Sequence, residues 1–123
     1  MGENVWIVRR YSFQDCTKLS SVVFGSGLRN IGSSAFENCK SLTSVTLSSM
    51  AEKLYPKVFY GCKKLKTLTI LTKKLNKTNV GDQAFSGIKS KAKVYCHPSM
   101  VKDYNTLLVS KGVPQTAVFK KIK

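Results

Sequence analysis

The apolar residues of this chain follow one pattern, which occurs three times in succession and a fourth time in weakened form. The clearest copy begins with the spacing of a helical turn and ends with the alternation of a strand. Its apolar positions are Ile31, Ala35, Phe36, Cys39, Leu42, Val45 and Leu47. The aligned phenylalanines, which advance by 23, 23 and 26 residues, are Phe13, Phe36, Phe59 and Phe85. A period between about 20 and 50 residues indicates a repeat protein, whose units stack because one unit cannot bury its own apolar face.

The spacing divides the chain into the units of one domain. Four repeats are predicted, at about residues 5–27, 28–50, 51–76 and 77–97, followed by a C-terminal cap at 98–123. Within each repeat, the segment that ends at the aligned cysteine, such as residues 33–39, is expected to form a short helical or 3-10 turn. The strand that follows, such as residues 42–47, is expected to pair in parallel with its equivalents, because every copy runs in the same direction.

Two short motifs carry a resemblance to a known family. The strand segments at residues 19–24, 42–47 and 65–70 resemble the Leu-x-x-Leu-x-Leu core of leucine-rich repeats. The preceding Ala35-Phe36-x-x-Cys39-x-x-Leu42 resembles the signature of the BspA-type leucine-rich repeats. The resemblance covers roughly residues 5–96, although in the fourth unit Ile88 replaces the cysteine and Lys91 replaces the leucine.

The resemblance sets the expected fold and function. We expect an α/β fold: a right-handed leucine-rich-repeat solenoid with a parallel β-sheet, short helical or 3-10 turns and a C-terminal helical cap. The family implies a non-catalytic module that adheres to other proteins or to host surfaces. Fold alone does not define a ligand, because function depends on particular sites.

The outward residues of the predicted strands form two rows that make a candidate binding face on the concave side. One row is Ser21, Ser44, Thr67 and Lys93, and its neighbour is Val23, Thr46, Thr69 and Tyr95. Hydroxyl residues of this kind suit a half-exposed β surface. The rows therefore fit either a polar binding face or a merely solvated one.

Positive charge is concentrated in the second half of the chain. The net charge is +15; residues 1–62 carry seven basic and four acidic side chains, whereas residues 63–123 carry fourteen lysines and two aspartates. Lys64, Lys66 and Lys93 are the candidate anion-binding residues, near the concave side of the third and fourth units. The alternative function is therefore a basic module that binds polyanions, either an anionic glycan or nucleic acid. Lysines that only keep the outer loops soluble explain the same charge.

The cysteines and the single histidine do not predict catalysis. Cys16, Cys39 and Cys62 share one column, where side chains point the same way, so they are expected to be free, buried and slow to react. Cys96 and His97 are adjacent on a strand and point to opposite faces, which separates a thiol from its only candidate base. We therefore expect no enzyme activity, no cofactor and no metal site.

The core is predicted to be better covered at the C-terminal end of the chain than at the N-terminal end. Pro98 and Gly112 bracket a helix with an apolar stripe, and a last strand is expected after it. No polar cap precedes residue 5, which leaves the apolar residues of the first unit half covered, and these are Phe13, Leu19, Val22 and Phe24. That end is expected to continue a longer chain or to allow end-to-end self-association. No signal peptide or membrane span is visible, so the chain is either intracellular or a piece of a longer secreted chain, and the start of the repeat near residue 1 favours the second. The resemblance implies a cell-surface or secreted location, as part of such a longer chain.

Overall fold

The computed structural model describes residues 6–122, and its strands recur with the period of the sequence. In chain order they are β1 (Ile7–Val8), β2 (Ser21–Val23), β3 (Asn30–Ile31), β4 (Ser44–Leu47), β5 (Lys53–Leu54), β6 (Thr67–Ile70), β7 (Lys93–Cys96) and β8 (Val118–Lys121). A 3-10 turn at Pro98–Met100 leads into the helix α1 (Val101–Ser110). The helix and the final strand lie within the predicted cap.

Two parallel sheets are formed by these strands. The larger has the order β2-β4-β6-β7-β8, and the smaller has the order β1-β3-β5. All pairings are parallel, which confirms the predicted solenoid. The smaller sheet was not predicted, and a bridge from Leu54 to Val80 carries its pairing into the fourth unit. Its strands are two residues long, too short for an alternation of apolar and polar residues to be recognised.

The segments that end at the aligned cysteines are successive turns, not the short helical or 3-10 turns that were expected. Ala35 N–H donates to Gly32 O (3.1 Å) within its own unit, but Phe36 N–H donates to Val58 O (2.9 Å) of the next unit. A helix needs each amide to bond to its own preceding turn. Here every second amide bonds to the neighbouring unit, and a left-handed residue, Asn38 (φ +60°), makes that alternation possible.

A column of phenylalanine rings forms the centre of the core. The ring centroids of Phe13 and Phe36 lie 5.1 Å apart, those of Phe36 and Phe59 5.5 Å, and those of Phe59 and Phe85 5.5 Å. The last three rings are 0% exposed, whereas Phe13 is half-buried. The repeated sequence column has therefore become a continuous stack, as the period predicts.

The cysteine column lies beside this stack as free thiols. Cys39 Sγ donates to Phe13 O and Cys62 Sγ donates to Phe36 O, each at 3.1 Å. Each thiol thus bonds to a carbonyl of the preceding unit, a role that the sequence did not indicate. Cys39 and Cys62 are buried, as expected, but Cys16 is only half-buried because no described unit lies beyond it.

The C-terminal cap closes the fourth unit. The apolar stripe predicted for the helix consists of Val101, Tyr104, Leu107 and Leu108; the last three are buried, and Val101 is half-buried. The buried Tyr104 hydroxyl donates to Thr72 O (2.7 Å) and accepts from the backbone N–H of Leu75 (3.3 Å). The helix therefore holds the longer loop that precedes the fourth unit.

Candidate binding face and lysine pocket

The eight residues of the candidate binding face lie in two continuous rows on the larger sheet. The strand register aligns Ser21, Ser44, Thr67 and Lys93 in one row, and Val23, Thr46, Thr69 and Tyr95 in the other. Adjacent strands are spaced by about 4.8 Å, so each row is a close series of side chains. We call the surface made by these rows the strand face.

Burial alternates along each strand, and this alternation separates the strand face from the core. Val45 and Leu68 point inward and are buried, whereas Thr46 and Thr69 beside them are half-exposed. Val23 at the outer strand is 64% exposed. The strand face is therefore open to solvent, with hydroxyl groups at its centre.

The final strand extends the strand face beyond the predicted residues. Val118 of β8 pairs with Lys93, and Lys120 pairs with Tyr95. An open pocket of about 560 Å³ lies here and is lined by Thr69, Tyr95, Lys120, Lys121 and Ile122. The sequence indicated a last strand only by a loose alternation, and it did not indicate that this strand joins the face.

A second pocket, of about 450 Å³, lies at the start of strands β6 and β7. It is lined by Lys66, Thr67, Lys89, Ser90, Lys91 and Lys93, and we call it the lysine pocket. Two of the three candidate anion-binding residues, Lys66 and Lys93, are in it. The third, Lys64, is exposed on the preceding turn and does not line the pocket.

Backbone hydrogen bonds fix the positions of the pocket lysines. Lys93 N–H donates to Lys66 O (2.8 Å), and Lys89 N–H donates to Leu65 O (3.1 Å). Lys91 N–H donates to Thr116 Oγ1 (2.9 Å) of the segment that leads into β8. Lys89 and Lys91 belong to a turn, and it is this turn that places them beside the strand lysines.

Acidic side chains lie elsewhere in the described residues. None is on a strand of the larger sheet, and the five that residues 6–122 contain are Asp15, Glu37, Glu52, Asp82 and Asp103. Within the same residues the single ion pair joins Lys111 Nζ to Asp82 Oδ1 at 3.3 Å. The four lysines of the pocket therefore form no ion pair with a carboxylate of residues 6–122.

The structure separates the two residues of the Cys96-His97 pair. Cys96 is buried at the end of β7, and burial raises the pKa of its thiol. The exposed His97 caps the 3-10 turn, where its Nδ1 accepts from Ser99 N–H (3.1 Å). Residues 6–122 contain no group of three histidine, cysteine or acidic side chains placed to hold a metal ion.

The open end of the first unit is smaller than expected. Val22 and Phe24 are buried, because Phe24 packs edge-on against Phe36 at 5.6 Å, whereas Phe13 and Leu19 are half-buried. Three large side chains near this end are well exposed, namely Trp6, Ile7 and Tyr11. End-to-end self-association remains a prediction.

The parallel sheets, the aromatic stack and the bonds between successive units define a leucine-rich-repeat solenoid. The chain belongs to the family described as BspA type Leucine rich repeat region, which matches residues 1–106 in 6 copies. The resemblance read from the motifs is thereby confirmed, and the match continues into α1.

One solved structure shares the fold over nearly the whole chain. It is the crystal structure of the pneumococcal vaccine antigen PcpA, with a TM-score of 0.64 and 18% sequence identity. The alignment covers 99% of this chain and 40% of that chain. None of the curated proteins matches the sequence.

Family membership suggests a coarse function. Proteins with this repeat are associated with protein binding or adhesion at cell surfaces and are typically non-catalytic. No helix among the described residues is long and apolar enough to cross a membrane.

Proposed function

We propose that this chain is a non-catalytic adhesion module that binds a protein or host-surface ligand through the strand face. The observation that carries the proposal is the register of the larger sheet, which joins eight outward residues into two uncovered rows. The family is the second support, because it suggests protein binding in general. The compartment we propose is the cell surface.

The chemistry of the strand face suits contact by side chains. Thr46 and Thr69 offer hydroxyl groups at its centre, and Tyr95 adds an aromatic ring near one end. Tyrosine is enriched among the residues that dominate binding energy in protein interfaces. Because β4, β6 and β7 are paired on both sides, a ligand at the centre of the strand face contacts side chains and does not add a strand there.

The backbone makes the strand face a preformed surface. Each central strand is bonded to two neighbours, and the inward residues of the same strands are packed in the core. Rigid surfaces lose less conformational entropy on binding than mobile loops do. The strand face can therefore bind without first becoming ordered.

The test uses a panel of purified extracellular-matrix and serum proteins, immobilised and titrated with the chain. The face variant is Thr46→Arg/Thr69→Arg, which places two bulky cations on the central strands. The control variant, Thr17→Arg/Asn105→Arg, adds the same charge at exposed positions outside the larger sheet. Both are first checked for unchanged thermal unfolding.

We expect at least one protein of the panel to bind with a micromolar or lower Kd. The face variant should bind it at least about tenfold more weakly, because a buried arginine at the centre of an interface is desolvated without a partner. The control should stay within about twofold of the natural chain. Failure of all panel proteins to bind, or equal losses in the two variants, would overturn the proposal.

A further inference from the structure

We propose that the lysine pocket is a separate binding site for an anionic glycan, that is, a polysaccharide segment bearing sulfate or carboxylate groups. The site consists of Lys66, Thr67, Lys89, Ser90, Lys91 and Lys93. It does not depend on protein binding by the strand face. Only Thr67 and Lys93 belong to both surfaces.

The repeats provide an internal comparison that sets three of these lysines apart. Lys91 stands in the column that holds Leu42 and Leu65 in the preceding units, and both leucines are fully buried whereas Lys91 is exposed. A column that is apolar and buried in two units is therefore charged and exposed in the fourth. At this point the repeat has lost an apolar contact and gained a charge that faces the pocket.

Lys93 and Lys66 also stand where other units have uncharged residues. Lys93 stands in the row that is Ser21, Ser44 and Thr67 in the other units. Lys66 stands where the second unit has Thr43. The uncharged pattern of the repeat is therefore broken at three positions that meet in one recess.

The charged groups of the pocket are all hydrogen-bond donors. The four ammonium groups have no acidic partner among residues 6–122. Within the same part of the chain, the hydroxyls of Thr67 and Ser90 and the backbone N–H of Ser90 have no hydrogen-bond partner. Two nearby carbonyls, Leu65 O and Lys66 O, already accept bonds from Lys89 N–H and Lys93 N–H. A recess with four ammonium groups that form no ion pair favours an anion.

The size of the recess favours more than a single ion. Its volume of about 450 Å³ lies in the range of about 300–1,000 Å³ typical of pockets for small organic ligands. Four lysines around such a space can contact several charged groups of one chain. A segment of a linear polyanion meets both requirements.

The surroundings distinguish a glycan from other polyanions. No aromatic side chain lines the pocket, so it has no stacking surface for nucleic-acid bases. It also has no arginine to make the two-pronged contact that phosphate favours, since Arg9, Arg10 and Arg29 all lie in the first two units. An acidic peptide would gain affinity by pairing with a strand edge, but β6 and β7 already have partners on both sides.

The test measures binding of a size-defined heparin oligosaccharide by calorimetry at several salt concentrations. The site variant is Lys66→Gln/Lys89→Gln/Lys91→Asn/Lys93→Gln, in which asparagine suits the left-handed backbone at residue 91 (φ +60°). The control variant changes four exposed lysines outside the pocket to glutamine and so removes the same net charge. These are Lys18, Lys40, Lys73 and Lys102.

We expect the site variant to bind heparin at least about tenfold more weakly, with a shallower dependence on salt, because fewer counterions are released. The control should lose no more than about threefold, since distant exposed charges are screened. Equal losses in the two variants would overturn the site in favour of a diffuse positive field.

Three further arms complete the test. Hyaluronan carries carboxylates without sulfates, so a comparison of its affinity with that of heparin tells which anionic group the site prefers. Site-dependent binding of either glycan supports the proposal. Tighter, site-dependent binding of single-stranded RNA or of a polyglutamate peptide would overturn the assignment to a glycan. If the fourfold variant does not fold, it is replaced by Lys89→Gln/Lys91→Asn, which changes turn positions only. An unchanged affinity for heparin in this double variant would contradict the proposal.

Discussion

The aligned phenylalanine of the repeat is buried to different extents at the two ends of the solenoid. At the C-terminal end, Phe85 is fully buried, and its backbone N–H donates to Lys111 O (3.0 Å), directly after helix α1 of the cap. At the N-terminal end, Phe13 stacks on Phe36 with one face only and remains half-buried. Identical residues at equivalent positions thus differ in burial because, within residues 6–122, the cap follows Phe85 whereas no further repeat precedes Phe13.

This difference indicates where the structure is least stable. In a repeat protein, the stability is close to a sum of the intrinsic unit energies and the interfaces between neighbours. The first unit has one described interface, whereas the interior units have two, and the fourth is completed by α1 and β8. We therefore expect the N-terminal unit to open first, and the following predictions test that expectation.

The largest expected effect is the loss of a ring from the middle of the stack. Phe36→Ala should lower the free energy of unfolding by about 3–5 kcal/mol, because it leaves a cavity between two other rings. Phe13→Ala should cost less than half as much, since that ring is half-buried and stacks on one described ring, whereas Phe36 stacks on two. Chemical denaturation of both variants measures the difference. Equal losses would show that the N-terminal unit is as well supported as the interior.

A comparison of two glycines tests how far the units can separate. A Cβ at Gly81 would overlap the backbone nitrogen of Pro56 in the third unit, and a Cβ at Gly32 would overlap that of Arg10 in the first. Gly81→Ala should cost about 3 kcal/mol, because the third unit is fixed on both sides. Gly32→Ala should cost about 1 kcal/mol, because the first unit can move outward. Thermal unfolding of the two variants measures both costs. A larger cost for Gly32→Ala than for Gly81→Ala would contradict a loosely held N-terminal unit.

A smaller effect is expected from the hydroxyl that secures the cap. Tyr104→Phe leaves Thr72 O and Leu75 N–H without their buried partner and should cost about 2 kcal/mol. Burial raises the pKa of Tyr104, so the folded protein holds this proton more tightly than the unfolded chain. The corresponding stability is present below about pH 10 and is lost as the pH rises through the folded pKa.

The pH dependence provides the control for this variant. The difference in stability between the natural chain and Tyr104→Phe should be constant near neutral pH and should narrow above about pH 10. Denaturation curves at a series of pH values measure it. A difference that stays constant to high pH would mean that the hydroxyl is not held in the cap as the structure has it.

The smallest perturbation is thiol labelling, which need not change stability. Cys16 lies at the open end and is half-buried, whereas Cys39, Cys62 and Cys96 are buried. Burial shields Cys39 and Cys62 from the reagent, and it raises the pKa of Cys96, which makes that reactive thiolate scarce. Ellman's reagent should therefore label one thiol rapidly in the native protein and all four after denaturation. Rapid labelling of all four native thiols would show that the interior units open as readily as the first.

Much of the architecture could be predicted because the period fixes the register. Once Phe36 and Phe59 are aligned, Thr46 must lie beside Thr69, and the composition of the strand face follows. The turns could not be predicted in the same way. Their alternating bonds need a partner from the next unit, as when Phe36 N–H donates to Val58 O, and a single repeat does not contain that partner.

The candidate sites were predicted less completely. Lys66 and Lys93 could be found because they lie on or next to strands whose register is known. Lys89 and Lys91 belong to a turn, and a turn has no period from which the direction of a side chain can be read. The contribution of β8 was likewise hidden, since a short strand after a helix can join either edge of a sheet.

By itself, the sequence determined the repeat, the family, the aromatic and cysteine columns and the parallel register, because each depends on residues that recur at a fixed spacing. Only the tertiary structure decided what lies beside each repeated residue. It left Phe13 half-buried but buried Phe85, paired Lys120 with Tyr95, and brought Lys89 and Lys91 to Lys93. Burial and electrostatic fields depend on neighbours in space, and at the ends and turns of a solenoid those neighbours come from segments outside the period.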